Sequence, residues 1–320
     1  MTGSATGAFP IRRFAATRIS NAVAVDLRVL ERDGVIESIH RSAVNVRWGG
    51  GLLTIAHESV GGLPNGILIV PPLALNQFGL ARGMTVKCDG ETLRIPAASL
   101  VVHLSGAVGW SPAMPVVGHL ATGTRAARAR RALRSAADHA PRIGLGSLLG
   151  GLAGGEAPVG SLGRAAAASL VGVVEALRAR RMERAVSAAS PLIGLGPGAT
   201  PSGDDLLVGL AAGLAVTDHI LARPFAAGVA RNASGMTTSL AETLLTHAGR
   251  LEFAERVHRA AVGVMNADAA EMKAAVIETL TWGASSGSDL LVGLLVGIQL
   301  DARGLARRLR ACATEPAVAA

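Results

Sequence analysis

One twelve-residue pattern occurs twice in this chain. Residues 202–213 read Ser-Gly-Asp-Asp-Leu-Leu-Val-Gly-Leu-Ala-Ala-Gly. Residues 286–297 read Ser-Gly-Ser-Asp-Leu-Leu-Val-Gly-Leu-Leu-Val-Gly, nine identities at an offset of 84. Each copy places Ser-x-x-Asp ahead of an apolar run, the pattern of a capped helix start. The spacing predicts that Ser202 and Ser286 accept an orphan backbone N–H, while Asp205 and Asp289 reach back and complement the helix dipole. Gly209 and Gly213 stand at i and i+4, as do Gly293 and Gly297. Such stripes let another backbone approach. The expectation is two helices crossing at their glycines, with their N-termini in one cleft and within ~20 Å, about two helix diameters.

Caps and glycine packing account for Ser202, Asp205, Ser286, Gly287 and Asp289 without any chemistry. They do not account for what precedes the first copy, Gly194-Leu-Gly-Pro-Gly-Ala-Thr-Pro201, nor for Asp204 beside Asp205. A loop with three Gly and two Pro is stiff and admits a ligand close to the backbone. It lacks the Gly-Lys-Ser/Thr of a phosphate loop, and its glycine spacing is not that of a dinucleotide site. The candidate ligand-binding residues are Gly196, Gly198, Thr200, Ser202, Gly203, Ser286, Gly287 and Asp289, with Asn45 on a strand in the first part of the chain. The candidate catalytic residues are Asp204, Asp205, Thr237 and Thr238. Thr237-Thr238-Ser239 opens an apolar-periodic segment, 240–247, and supplies more hydroxyls than one cap uses. Two chemistries fit. Paired carboxylates can hold Mg²⁺ against a phosphate-bearing ligand, or they can accept hydrogen bonds from an amide or ureido group whose carbonyl or carboxylate end meets backbone N–H groups. No third metal ligand lies nearby, so no cofactor is expected and the second chemistry is preferred.

The rest of the chain divides in character. Residues 18–104 carry short apolar runs with turn signals, among them a hairpin about Trp48-Gly-Gly-Gly51 and another about Asp89-Gly90. Residues 19–30 alternate loosely and read as a strand. After Pro112 and Pro115, residues 117–139 and 162–189 have helical spacing, 144–160 is Gly-rich and reads as a loop, and helices follow Pro191. The fold class expected is α+β: a small β sandwich or barrel-like domain over 1–112, then a mostly α-helical domain over 113–320.

Several function classes are excluded. The longest apolar runs, 206–216 and 290–298, are about half the ~20 residues that span a bilayer. No apolar stretch follows Arg12-Arg13, so no signal peptide is read, and Cys88 and Cys312 form no disulfide framework. A cytoplasmic protein without a membrane partner is expected. The net charge of +8 is concentrated in 115–190, with eleven basic and four acidic residues. Its Arg runs suit a solvated face or an acidic partner. Nucleic acid is not expected, because aromatic residues are 2% of the chain and base-stacking platforms need them.

The residues 194–209, Gly-Leu-Gly-Pro-Gly-Ala-Thr-Pro-Ser-Gly-Asp-Asp-Leu-Leu-Val-Gly, then Thr237-Thr238, then Ser-Ser-Gly-Ser-Asp-Leu-Leu-Val-Gly over 285–293, resemble the AllH-like family. The resemblance is strong over 190–300 and rests on general layout in the β part. It implies a subunit of an oxamate carbamoyltransferase, a transferase that acts in allantoin and purine catabolism as a protein complex with two other subunit types. The reaction implied is oxalurate plus phosphate giving oxamate plus carbamoyl phosphate. In that setting N–H groups of 196–203 would take the carboxylate or the oxyanion, Asp204 would orient ureido N–H groups, and Thr237 and Thr238 would bond phosphate. Ala284 departs from the family pattern, which carries a His ahead of the second Ser-Ser-Gly. The alternative function is a non-catalytic ligand-binding or scaffolding subunit of a related nitrogen-catabolic complex. An independent amide hydrolase finds no Ser–His–Asp or Cys–His pattern.

Overall fold

The computed structural model describes residues 11–29, 33–155 and 160–314. The chain divides into two compact units, Met1–Pro112 and Ala113–Ala320.

The first unit is a barrel. Strand β1 (Arg12–Ser20) leads into helix α1 (Asn21–Val29), followed by β2 (Asp33–Ile39), β3 (Ala43–Trp48), β4 (Gly51–His57), β5 (Gly66–Ile69), β6 (Thr85–Cys88), β7 (Thr92–Ile95), β8 (Leu100–His103) and β9 (Val108–Trp110). The strand order β5-β4-β3-β2-β6-β7-β8-β1 closes because β1 also pairs with β5, antiparallel, with Ile19 opposite Ile67. Eight strands close the ring, and β9 continues beside β1 beyond the end of β8. Closure leaves no long edge. The interior is aliphatic, with Val46, Ile67, Val86, Leu93 and Val102 all fully buried. Both expected hairpins form, with Trp48 opposite Gly51 and Cys88 opposite Leu93.

One correction concerns residues 19–30. The strand ends at Ser20 and α1 follows. The alternation of Val and Ala misleads because, among the side chains described in α1, Val23 and Leu27, spaced i and i+4, are buried, whereas Val25 is exposed.

The second unit is helical: α2 (Thr122–Ala137), α3 (Gly146–Ala153), α4 (Ser161–Arg178), α5 (Met182–Ala189), α6 (Ser202–Val216), α7 (Ala222–Ala233), α8 (Ser239–Gly249), α9 (Glu255–Asn266), α10 (Ala269–Leu280), α11 (Ser286–Ile298) and α12 (Leu305–Ala313). The Gly-rich segment 144–160, of which 156–159 lie outside the described residues, is therefore not simply a loop. Leu145, Leu148, Leu149 and Leu152 repeat at helical spacing and are fully buried, and this burial outweighs the poor helix propensity of the glycines around them. Segment 162–189 is split into α4 and α5 by Arg180, whose φ is +54°.

The second core is centred on α6 and α11. All of α6 except Ala215 is buried, and all of α11 except Ser286. These are the two copies of the repeat, and their apolar residues need neighbours on every side. No helix among the described residues is long and apolar enough to cross a membrane.

Candidate functional site

The two copies of the repeat pack against each other at their glycines. A Cβ on Gly209 would lie 2.0 Å from the carbonyl oxygen of Leu290, and one on Gly293 would lie 1.9 Å from that of Leu206. Gly213 meets Leu294 and Gly297 meets Leu210 in the same reciprocal way. Every contact recurs with the copies exchanged, so the helices are related by a local pseudo-two-fold axis.

The same exchange operates at their N-termini, and it overturns the expected capping. Ser202 and Ser286 are the first helical residues, after Pro201 and Ser285, and no side chain caps either helix. Instead the Ser202 hydroxyl serves Asp289, and the Ser286 hydroxyl serves Asp205, together with Thr200. Thr200 and Ser286 lie 3.1 Å apart, oxygen to oxygen. A carboxyl group buried this deeply needs donors more than an exposed helix end needs a cap. The Leu145 N–H also donates to Asp289 at 2.6 Å. This bond brings the 144–145 turn to the site, a contribution that sequence reasoning missed; the Leu stripe starting at Leu145 was the available signal. Gly144 has φ +58°, and a Cβ there would lie 2.5 Å from Ser285 Cβ and 2.6 Å from an Asp289 oxygen, so only glycine fits.

Over these helix starts lies the 194–200 loop. Gly194, Gly196 and Gly198 have φ of +72°, +102° and +110°, backbone geometry that other residues adopt only with strain. Asp204 anchors the loop from below. Its Oδ1 accepts the Gly194 N–H at 3.1 Å and its Oδ2 accepts the Thr237 hydroxyl at 2.5 Å. The neighbouring Thr238 hydroxyl donates to the Ala199 carbonyl at 2.5 Å and accepts the Ala241 N–H at 3.2 Å, which makes Thr238 the N-cap of α8. The Thr237-Thr238 pair thus clamps both ends of the loop.

Gly203 and Gly287, expected as ligand contacts, are buried. A Cβ on either would sit 1.9 Å from a carbonyl oxygen, of Leu192 and Thr279 respectively, so they serve close packing. Gly196 and Thr200 are half-buried, and Gly198 is exposed together with Pro197 and Ala199. Ala284 is also exposed, in the turn ahead of α11. Asn45 lies inside the barrel unit. Its amide donates to Ser38 at 2.9 Å and accepts the Thr54 hydroxyl at 2.8 Å, so its polar atoms are used within the barrel.

Three carboxyl groups therefore meet where the two helices start, and among the described residues no Lys or Arg pairs with any of them. Burial pushes the Asp205 pKa up to about 8; the Ser286 and Thr200 hydroxyls oppose the shift, and Asp289 and Asp204 add to it. Burial also raises Asp204 against the bonds from Thr237 and Gly194, and raises Asp289 against its bond from Leu145. Oδ2 of Asp205 and Oδ2 of Asp289 are buried with no hydrogen-bond partner. At neutral pH Asp205 is mostly a neutral carboxylic acid, a hydrogen-bond donor as well as an acceptor. Among the described residues no three His, Cys, Asp or Glu side chains are arranged as a group that could hold a metal ion.

Both units have a counterpart among known families. Residues 15–109 match the AllH family N-terminal domain, and residues 192–298 match the oxamate carbamoyltransferase subunit AllH. No curated protein and no solved structure matches the chain. The second match encloses the glycine loop, the Thr237-Thr238 clamp and both copies of the repeat, and with two models of one family covering most of its length the chain belongs to the AllH family.

Proposed function

We propose that this chain is the subunit of a carbamoyltransferase complex that binds a small ureido-carboxylate ligand, oxalurate, at the 194–205 loop. The observation that carries this reading is the meeting of two helix N-termini over carboxyl groups whose pKa values are raised. Helix starts favour an anion. Ionised Asp204 and Asp205 would oppose it, but a protonated Asp205 does not. The exposed backbone around Gly198 and the Ser286 end of α11 offer the ligand's carboxylate its N–H donors. Asp204, now bonded to Thr237, accepts the ureido N–H groups when the ligand displaces that hydroxyl, and Thr237 and Thr238 then face phosphate.

In the reaction a phosphate oxygen attacks the terminal ureido carbonyl carbon. The bond from that carbon to the oxamate nitrogen breaks, and the nitrogen takes a proton to complete oxamate; carbamoyl phosphate is the other product. Backbone donors at the loop stabilise the oxyanion formed in between, and fixing both substrates supplies much of the remaining rate.

The test is co-expression with the other subunits of the complex, followed by assay of oxalurate phosphorolysis and of oxalurate binding. Asp204→Asn is expected to weaken binding and to lower kcat/KM by at least tenfold. Unchanged binding and turnover in that variant would remove Asp204 from the site and the loop from the proposal.

A further inference from the structure

We infer that the groove between α2 and the start of α10 is a docking site for an acidic segment of a partner polypeptide. Helix α2 carries five Arg and no acidic residue. Its small apolar residues, such as Ala129 and Leu133, are buried in the helical core. Its other side borders a groove of about 510 Å³ whose far wall is formed by Asp268 and Met272.

Two polar groups in the groove are already engaged. Arg128 donates to the Val264 carbonyl at 2.8 Å and to the Ala267 carbonyl, which fixes the turn between α9 and α10. Asp268 accepts the Ala270 and Glu271 N–H groups at 2.8 and 2.9 Å and so caps α10. Arg130, Arg131 and Arg134 remain, exposed along the groove, and among the described residues no carboxylate pairs with them. Two other exposed arginines of this unit do have one: Arg259 meets Glu278 at 3.1 Å, and Arg310 meets Glu175. The positive field extends past the groove. Burial lowers the pKa of Arg308 on α12, and the nearby Arg130, Arg307 and Arg178 lower it further.

Charge complementarity selects the occupant. Guanidinium groups form paired hydrogen bonds with carboxylates. Arg131 and Arg134 stand one helical turn apart, so Asp or Glu side chains at similar spacing on a partner would meet them together. A nucleic acid suits the groove less well, because no aromatic side chain lines it for base stacking and Asp268 stands in its wall. The inference rests on the subunit reading above but not on the reaction.

The experiment uses the purified full chain and a fluorescein-labelled hexaglutamate peptide, with anisotropy measured at low and at near-physiological salt. Binding is expected to weaken severalfold with added salt and at least tenfold in the R131E/R134E double variant, whose urea midpoint stays at the wild-type value. Arg231→Glu, an exposed change on α7, is expected to leave affinity within twofold. Equal affinity of wild type and double variant would overturn the proposal, as would an equal loss in Arg231→Glu. Tighter binding of a 20-base-pair DNA duplex than of the peptide, lost in the same double variant, would overturn it in favour of nucleic acid. The peptide assay needs no turnover, so its failure leaves the oxalurate reading standing, and an inactive complex leaves the peptide result standing.

Discussion

Replacing Gly293 by alanine should strongly destabilise the helical unit, although alanine is the better helix former. The added Cβ would lie 1.9 Å from the Leu206 carbonyl oxygen, and the atom it meets is backbone rather than the end of a flexible side chain. Ordinary contact begins at 3.4 Å, so α6 and α11 must move apart by roughly 1.5 Å. A gap of 0.5–1 Å already forfeits about a quarter to a half of each dispersion contact along the interface. Overpacking of this kind costs about 1–3 kcal/mol and occasionally more, and an immovable carbonyl places Gly293→Ala at the upper end, about 3 kcal/mol. The gain of ~1 kcal/mol in helix propensity offsets only part of it. The control is Gly150→Ala in α3, where an added Cβ meets nothing within 4 Å; here propensity alone acts, and a gain of ~0.5–1 kcal/mol is expected. Urea unfolding followed by far-UV circular dichroism reads both as shifts in midpoint at unchanged slope. Because the helices are already apart once Gly293→Ala is present, Gly209→Ala in that background should cost less than it does alone. Equal midpoints for Gly293→Ala and Gly150→Ala would refute the claim that the two repeats touch through their backbones.

Two further outcomes follow from the site. The folded state raises the Asp205 pKa from 3.8 to about 8, so it holds the proton more tightly than the unfolded chain does. The stability linked to that proton is complete below about pH 4 and is lost as pH rises through about 8; Asp204 and Asp289 shift in the same direction. Thermal midpoints of wild type should therefore fall between pH 5 and pH 8.5 more steeply than those of Asp205→Asn, and parallel profiles would contradict the assignment. The two threonines should separate by assay. Thr238→Ala removes a helix cap and should cost ~1 kcal/mol of stability, whereas Thr237→Val strips a donor from a buried carboxyl group and should cost about 1.5–3 kcal/mol and weaken oxalurate binding. Unchanged oxalurate binding in Thr237→Val would remove its hydroxyl from the ligand site.

Much of this architecture is legible in the sequence because local signals agree with the fold. The Asp89-Gly90 turn and the Gly run at 49–51 mark real hairpins. The glycines of the repeat predict a helix crossing, and the crossing forms. The failures have physical causes. Glycines in 144–160 hide four leucines on one helical face. Alternation in 19–30 imitates a strand, but Val23 and Leu27 of α1 are buried at helical spacing while Val25 between them is exposed. The capping pattern is read correctly as a pattern and wrongly as a contact. Within one segment Ser202 has only its own helix end to serve, and nothing local shows that a second carboxyl group lies opposite. The exchange of Ser and Asp between copies exists only after residues 84 apart have met. Asn45, a candidate ligand contact on its strand, bonds Ser38 and Thr54, a cross-strand network that depends on barrel register and is not visible locally.

The pairing of α6 with α11 also sets an order of events during synthesis. Helix α6 is almost wholly apolar after its first turn, and four helices, α7 to α10, separate it in sequence from the partner that covers it. Until residue 298 has left the ribosome, the glycine stripe of α6 has no matching backbone to pack against. A nascent or truncated chain that stops short of α11 therefore presents an open apolar helix, the kind of surface that aggregates or recruits a chaperone. The last third of the chain is thus a condition for the solubility of the middle third as well as half of its site.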